Sequence, residues 1–428
     1  MARAEIHQKL FLIFSILVVV TLPYSVRLNS YSIILLSLNW LLEGNWKNRW
    51  KLLTHNKYAL LFGCFYLIHV FALLYTKNIH QGLFELEKKI GFIIFPVIFA
   101  TSTYLTHKTA LKILHSFVGA CLVGAIICLV NGFYFYLDGD SSFLFYHKLG
   151  AIINFNHAIY FSLYIGFSIF ILLTQLRSNW QSWIISKKLL CILIVLIFML
   201  FLILLSSKII IAAVFFLLII LFVQIIIEAK GRLLAALALF FGFAFFSLLT
   251  YTVPNIRERF EEVFIDKYDQ VNPLLLDDYF QYHFTGWNVR LAIWKTAVIS
   301  VNEEKAWIFG VGTGDSQDVL TAAFEKRHMY PGDALVGSIG FLDYNAHNQF
   351  VQAYHMFGIV GLLWFILILV FLFKESIKKD QTNLLFCLLF LFTAFCLTES
   401  VMQVQKGIVF FVFFSSLLVT KVIRKNDS

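Results

Sequence analysis

The residues of this chain best suited to chemistry each lie beside a long apolar run. His347 stands in "NAHNQFVQAYHMFGIVGLL", which is polar at first and hydrocarbon afterwards. An imidazole exchanges a proton near neutral pH and can serve as a general base. Arg290 stands in "NVRLAIWKTAVIS", where Val289, Ile293, Ala297 and Ser300 repeat at helical spacing and put Arg290 and Trp294 together on one flank. A guanidinium can grip a phosphate at two points, which an ammonium does less well. Asn348 follows His347, Lys208 lies in "LLSSKIII", His157 in "NFNHAIYFSLY" and Glu399 in "LTESVMQVQKG". Ionisable groups at a membrane edge are functional candidates, because lipid penalises them. Each also has a plainer role: a snorkelling lysine, an interfacial histidine, a solvated glutamate, a surface arginine.

Other motifs are weaker. His347, Val351 and His355 fall at i, i+4 and i+8, but two histidines without HExxH or further ligands do not make a zinc site, so no metal is expected. The glycines of "WIFGVGTGDSQDVL" predict a tight turn opening a helix, with Asp315 or Ser316 as N-cap. No βαβ frame surrounds them, so they are not a dinucleotide fingerprint. Gly358 and Gly361 predict a close approach by another helix. Asp138-Gly139-Asp140 reads as a polar turn, and the six cysteines as small packing residues within apolar runs.

The elements that must position these residues follow from composition. Sixty per cent of the 428 residues are apolar and 14% are charged, the balance of a polytopic membrane protein. About twelve runs are long enough to be read as transmembrane helices. They lie near Leu10–Val20, Tyr31–Leu42, Tyr58–Tyr75, Ile90–Leu105, Leu111–Leu137, Phe155–Leu173, Leu189–Leu205, Ile209–Ile227, Leu233–Val253, Met356–Phe373, Leu384–Leu397 and Gly407–Val422. The runs are continuous rather than alternating, which selects helices over a barrel. The first reads as a signal anchor, with no small-x-small cleavage site after it. The fold expected is therefore all-α and polytopic, with one large extracytoplasmic loop that contains short helices. Its parts are an N-terminal bundle over 1–253 of about nine spans, the loop over 254–346, and about three C-terminal spans over 347–428.

Lys and Arg concentrate in alternate loops, which places both termini in the cytoplasm. The net charge of +9 is thus a topology signal and calls for no nucleic acid. The long loop falls outside and is acidic, with 14 Asp and Glu against 8 Lys and Arg. At about 90 residues it is too long for a plain connector.

With these residues in place, the chain resembles the O-antigen ligase and O-antigen polymerase superfamily, over roughly Leu189 to Val422. The resemblance rests on "LLSSKIIIAA", "NVRLAIWKTA" followed by "IFGVGTGD", "AHNQFVQAYHMFGIVGLL" and "LTESVMQVQKGIVFF". Lys208 departs from it, since many ligases carry arginine after the serine turn. The resemblance implies a metal-independent, cofactor-free transfer of a glycan from an undecaprenyl-diphosphate carrier to a hydroxyl, outside the bacterial inner membrane. The acceptor would be a lipid A-core sugar, another repeat unit, or a protein side chain. His347 matches the proposed general base and Arg290 the diphosphate-binding arginine, while Lys208 takes the place of the other arginine. His157, Asn348 and Glu399 are further candidates for contact with the substrate. A single displacement would invert the anomeric centre. A transporter or flippase is the alternative from another class, but the chain shows no internal repeat or paired broken helices.

Overall fold

A computed structural model describes residues 2–151, 153, 158–229, 272–280, 282, 284, 286–333, 338–377 and 384–426. The regular secondary structure of the described residues is helical apart from one two-residue antiparallel pair, Gly332–Asp333 with Ser338–Ile339. Helices are what a bilayer demands, because each satisfies its own backbone. Six are long and apolar enough to cross a membrane: Arg3–Thr21, Lys57–Tyr75, His107–Leu137, Ala158–Ser178, Ile185–Leu204 and Gln349–Ile377. Lys208–Gln224, Leu384–Cys396 and Gln405–Thr420 are shorter apolar helices. The run expected at Leu233–Val253 lies outside the described residues. Of the other expected spans, Tyr31–Leu42 lies within the helix Val26–Glu43, and Ile90–Leu105 is represented by Gly91–Thr101.

The chain divides into two compact units, each built from three separate segments of sequence. One comprises Met1–Glu43, Tyr104–Glu261 and Lys379–Ala394. At its centre, Ala158–Ser178 packs on His107–Leu137, Ile185–Leu204 and Lys208–Ala229. Its residues are apolar nearly all round, and so it is buried nearly all round. The hydroxyls of Ser162, Ser168 and Thr174 return to carbonyls one turn back, which satisfies them without water.

The second unit comprises Gly44–Thr103, Glu262–Lys378 and Phe395–Ser428. Its apolar core is aromatic. Phe65 meets Phe92 edge-on at 5.3 Å, and Phe413 meets Phe95 and Phe99 in the same way. The buried Tyr58 hydroxyl is held by Ser415 and Ser416. The segment between its apolar helices forms a core of its own around Tyr279, Phe284, Ile293, Leu320, Phe324 and Met329. This core holds the helices Gly286–Glu303 and Ser316–Lys326 together. The predicted face of the first helix is largely the observed one: Ile293, Ala297 and Ser300 are buried.

Two glycine segments interlock in this unit. Gly358 has φ 61° and ψ −156°, which breaks the helix Gln349–Ile377. Around the break the backbone pairs with another strand of chain. Val311 and Gly312 donate to the carbonyls of His355 and Met356, and Ile359 donates to Trp307. A Cβ on Gly310 would lie 2.2 Å from the Phe357 nitrogen, and one on Gly358 2.3 Å from the Ile308 carbonyl carbon. The sequence leads one to expect another helix against Gly358; what approaches it is an irregular loop that needs donors and acceptors, so the helix opens to supply them.

Candidate active site

Arg290 is carried on the Gly286–Glu303 helix, one turn before Trp294. The Trp294 indole N–H donates to the Ala346 carbonyl at 2.9 Å, which ties this helix to the residue before His347. Arg290 Nη2 lies 3.8 Å from Glu399 Oε1, and its side chain is 28% exposed. The Arg290 Nε is buried and has no hydrogen-bond acceptor among the described residues. A buried donor without an acceptor is costly, so the guanidinium has capacity for a further anionic group.

His347 is not on the helix that follows it. Its φ is 43°, a left-handed value that is uncommon for a non-glycine residue. Such strain persists only where the surroundings enforce it. The enforcing contacts are local amides. Asn345 Oδ1 accepts the His347 backbone N–H at 2.9 Å. Asn348 Oδ1 accepts from Phe350 and Val351, which makes Asn348 the N-cap of the helix. Its amide nitrogen donates to the Leu397 carbonyl, and its backbone N–H to Ser400 Oγ. Gln349 and Gln352 complete the seam. Gln349 Oε1 accepts from Met402, and Gln352 Oε1 accepts from Ala346 and Ser400. The amide-rich opening of this segment therefore stitches the helix start to the loop that carries Glu399.

Glu399 joins the two candidate groups. Its Oε2 lies 3.3 Å from His347 Nδ1, while its Oε1 faces Arg290. A carboxylate at Nδ1 fixes the tautomer with the proton on that nitrogen, leaving Nε2 with its lone pair. Such a pair can accept a proton from a hydroxyl and stabilise the resulting imidazolium. The guanidinium beside it can neutralise an anion. Glu399 is 12% exposed and His347 26%, so this charge set is partly withdrawn from water.

The structure thus brings Arg290, His347 and Glu399 together and commits Asn348 to the helix cap. Lys208 opens the helix Lys208–Ala229 in the other unit, after a turn in which Ser206 has φ 51°. His157 lies outside the described residues. His355 is fully buried; its Nε2 lies 3.0 Å from Ser300 Oγ and its Nδ1 3.0 Å from Ser316 Oγ. It pins three elements to one another. Among the described residues, no group of three or more His, Cys, Asp or Glu is placed to hold a metal ion. Sequence reasoning passed over Asn345 and Gln352 and placed Trp294 only as a flank neighbour of Arg290. The one signal for the two amides was their density around His347.

Two further features shape this layer. Asp315 stands at the N-cap position of Ser316–Lys326, but its carboxylate accepts the backbone N–H groups of Lys77 and Asn78. Glu85 is buried between Lys88 and Lys89, and Lys88 also donates to the Gln403 carbonyl at 3.3 Å. Burial pushes the Lys89 ammonium below the usual lysine range despite Glu85 beside it.

Residues 192–366 match a family model described as O-antigen ligase. The matched stretch includes Lys208, Arg290 and His347 and ends before Glu399. No curated protein matches the chain.

Proposed function

The chain belongs to the O-antigen ligase superfamily through residues 192–366, and on that footing we propose that it moves a glycan from an undecaprenyl-diphosphate carrier to an acceptor hydroxyl. The reaction lies on the periplasmic face of the bacterial inner membrane, with both termini in the cytoplasm. His347 takes the proton of the attacking hydroxyl. The hydroxyl oxygen bonds to the anomeric carbon as the bond from that carbon to the diphosphate breaks. The carrier diphosphate leaves with the electron pair, and Arg290 stabilises its charge. Glu399 holds the His347 tautomer and balances the imidazolium until the proton passes to solvent. Lys208 enters on its sequence position alone, as a second cation for the donor. The displacement inverts the anomeric centre.

The observation that carries this reading is the Glu399 carboxylate placed between a histidine and an arginine. A base and an anion-binding group are the two parts a glycosyl diphosphate transfer needs. Ligation to a lipid A-core sugar is the form we favour; polymerisation and protein glycosylation share its donor chemistry and differ only in the acceptor.

The test uses the full chain in lipid nanodiscs with a synthetic undecaprenyl-diphosphate oligosaccharide and separate acceptors, the product being read by mass and its anomeric configuration by NMR. Transfer by the wild type and a loss of about 10²–10⁴-fold in His347→Ala are expected. Undiminished transfer by His347→Ala would remove the histidine from the base role.

A further inference from the structure

A cavity of about 310 Å³ lies in the Arg290 unit, beside the helix Ser316–Lys326. That volume is at the small end of the range for small-molecule sites. Its walls are aromatic, formed by Tyr279, Phe280, Tyr282 and Tyr330, with Glu325 and His328 among them. The His328 imidazole lies 2.7 Å from Asp278, so carboxylate and imidazole stand together at this edge. Phe280 is 75% exposed. Its ring meets His328 edge-on at 5.7 Å.

The cavity is joined to the candidate active site by a row of rings. His347 and Tyr344 are 4.9 Å apart between centroids. Tyr344 and Phe341 are 5.3 Å apart, and Phe341 and Tyr330 6.0 Å. Tyr330 is itself part of the cavity wall. All three intervening rings are partly exposed. Each ring offers an edge or face to anything lying along this line, beginning at the catalytic histidine.

A pyranose has an apolar C–H face and a rim of hydroxyls. Aromatic rings cover the first, and carboxylates, imidazoles and phenols bond the second. We propose that the cavity and the Tyr344–Phe341–Tyr330 row form a binding track for an oligosaccharide. Sugars remote from the reacting bond stack along the row and settle against Phe280, Tyr282 and Tyr330, where Glu325 and the Asp278–His328 pair meet their hydroxyls. The track rests on the glycan-transfer reading and adds that the enzyme senses glycan length.

Donor and acceptor both carry sugars, and the kinetics tell them apart. Initial rates are measured with undecaprenyl-diphosphate donors bearing one sugar or several, and with acceptors of one sugar or several. The variants are Phe280→Ala, whose exposure leaves the core intact, and Tyr330→Ala. Each is expected to raise KM about five- to tenfold for the long partner, the loss of one or two ring contacts. KM for the one-sugar partner and kcat stay unchanged. A rise that follows donor length places the donor glycan on the track, and one that follows acceptor length places the acceptor there. Equal effects on short and long partners, or no effect on either, overturn the proposal.

A second measurement is independent of transfer. Saturation-transfer NMR is recorded on His347→Ala with the oligosaccharides released by mild acid from the lipid-linked glycans of the producing cell. Sugar C–H signals are expected to receive saturation in His347→Ala and to lose it when Phe280→Ala and Tyr330→Ala are added. An unchanged signal in the triple variant refutes the track while the transfer assay still stands. Conversely, loss of the base role for His347 leaves this binding result intact.

Discussion

Glu399→Gln separates a residue that orients the base from one that merely contacts substrate. Gln keeps an oxygen that can accept from His347 Nδ1, so the 3.3 Å contact survives while the charge is removed. In the proposed transfer the imidazole becomes an imidazolium. At about 4 Å a unit charge pair is worth roughly 4 kcal/mol at an effective dielectric of 20 and roughly 1 kcal/mol in water. The pair here is 12% and 26% exposed, so its value lies between those limits. The expected fall in kcat is therefore about 5- to 10³-fold, less than that of His347→Ala. The carboxylate also faces Arg290 at 3.8 Å, competing with an incoming diphosphate. Its removal is expected to leave the donor KM unchanged or lower. The assay is steady-state transfer in nanodiscs with donor concentration varied. A wild-type kcat in Glu399→Gln, or a raised donor KM at constant kcat, would refute this reasoning and make Glu399 a donor contact.

Arg290→Lys keeps the charge but loses the planar fork, and a loss of 10-fold or more in kcat/KM is expected, with protein level and melting temperature retained; equal activity would deny a two-point grip on phosphate. Gly358→Ala places a Cβ 2.3 Å from the Ile308 carbonyl at φ 61°. It is expected to destabilise by about 3 kcal/mol or more, read as a fall in thermal unfolding temperature in detergent. His355→Ala removes two buried hydrogen bonds, to Ser300 and Ser316, each worth about 1 kcal/mol net, and leaves the volume of the ring unfilled, while Ser300 keeps the Ala297 carbonyl and Ser316 the Gln352 amide as partners. It is expected to melt earlier, and His355→Gln to recover part of the loss; neither is a silent control for His347. The hydrogen bond from Lys326, with Arg327 beside it, holds the Glu303 carboxyl below the usual glutamate range. Its stabilisation is present above the ordinary glutamate pKa and is lost as pH falls through the lower folded value. Glu303→Gln should therefore flatten the acid end of the stability curve, by less than about 1 kcal/mol because the group is exposed.

Much of the architecture could be read from the chain because the bilayer acts as a severe solvent. Apolar length alone marks a helix there, whatever its partners. The ion set could not be read in the same way. Glu399 lies 52 residues from His347 and meets Arg290 through a loop between two apolar helices. Residue type raised all three as candidates, but only packing shows that one carboxylate serves both partners. Helical spacing also misleads at His347. It places His347 and His355 on one face, yet the helix begins at Gln349 after the Asn348 cap. The left-handed backbone turns His347 out of that register, and His355 is buried against two serines.

The cap and the break at Gly358 bear on the same problem from opposite ends. A catalytic group at the mouth of an apolar helix needs polar backbone around it, and lipid tolerates such backbone only where protein satisfies it. At the mouth, the amides of Asn345, Asn348, Gln349 and Gln352 supply the partners. Deeper down, at Gly358, the interleaved loop from Trp307 to Gly312 does so. The stretch between these two seams carries His355, which draws the Ser300 and Ser316 elements onto it. Arg290 shares a rigid helix with Ser300. The buried His355 contact therefore sets where that helix sits, and with it how far the guanidinium lies from His347. On this account a change at Ser300 or His355 alters transfer without touching substrate, by moving Arg290 relative to the base.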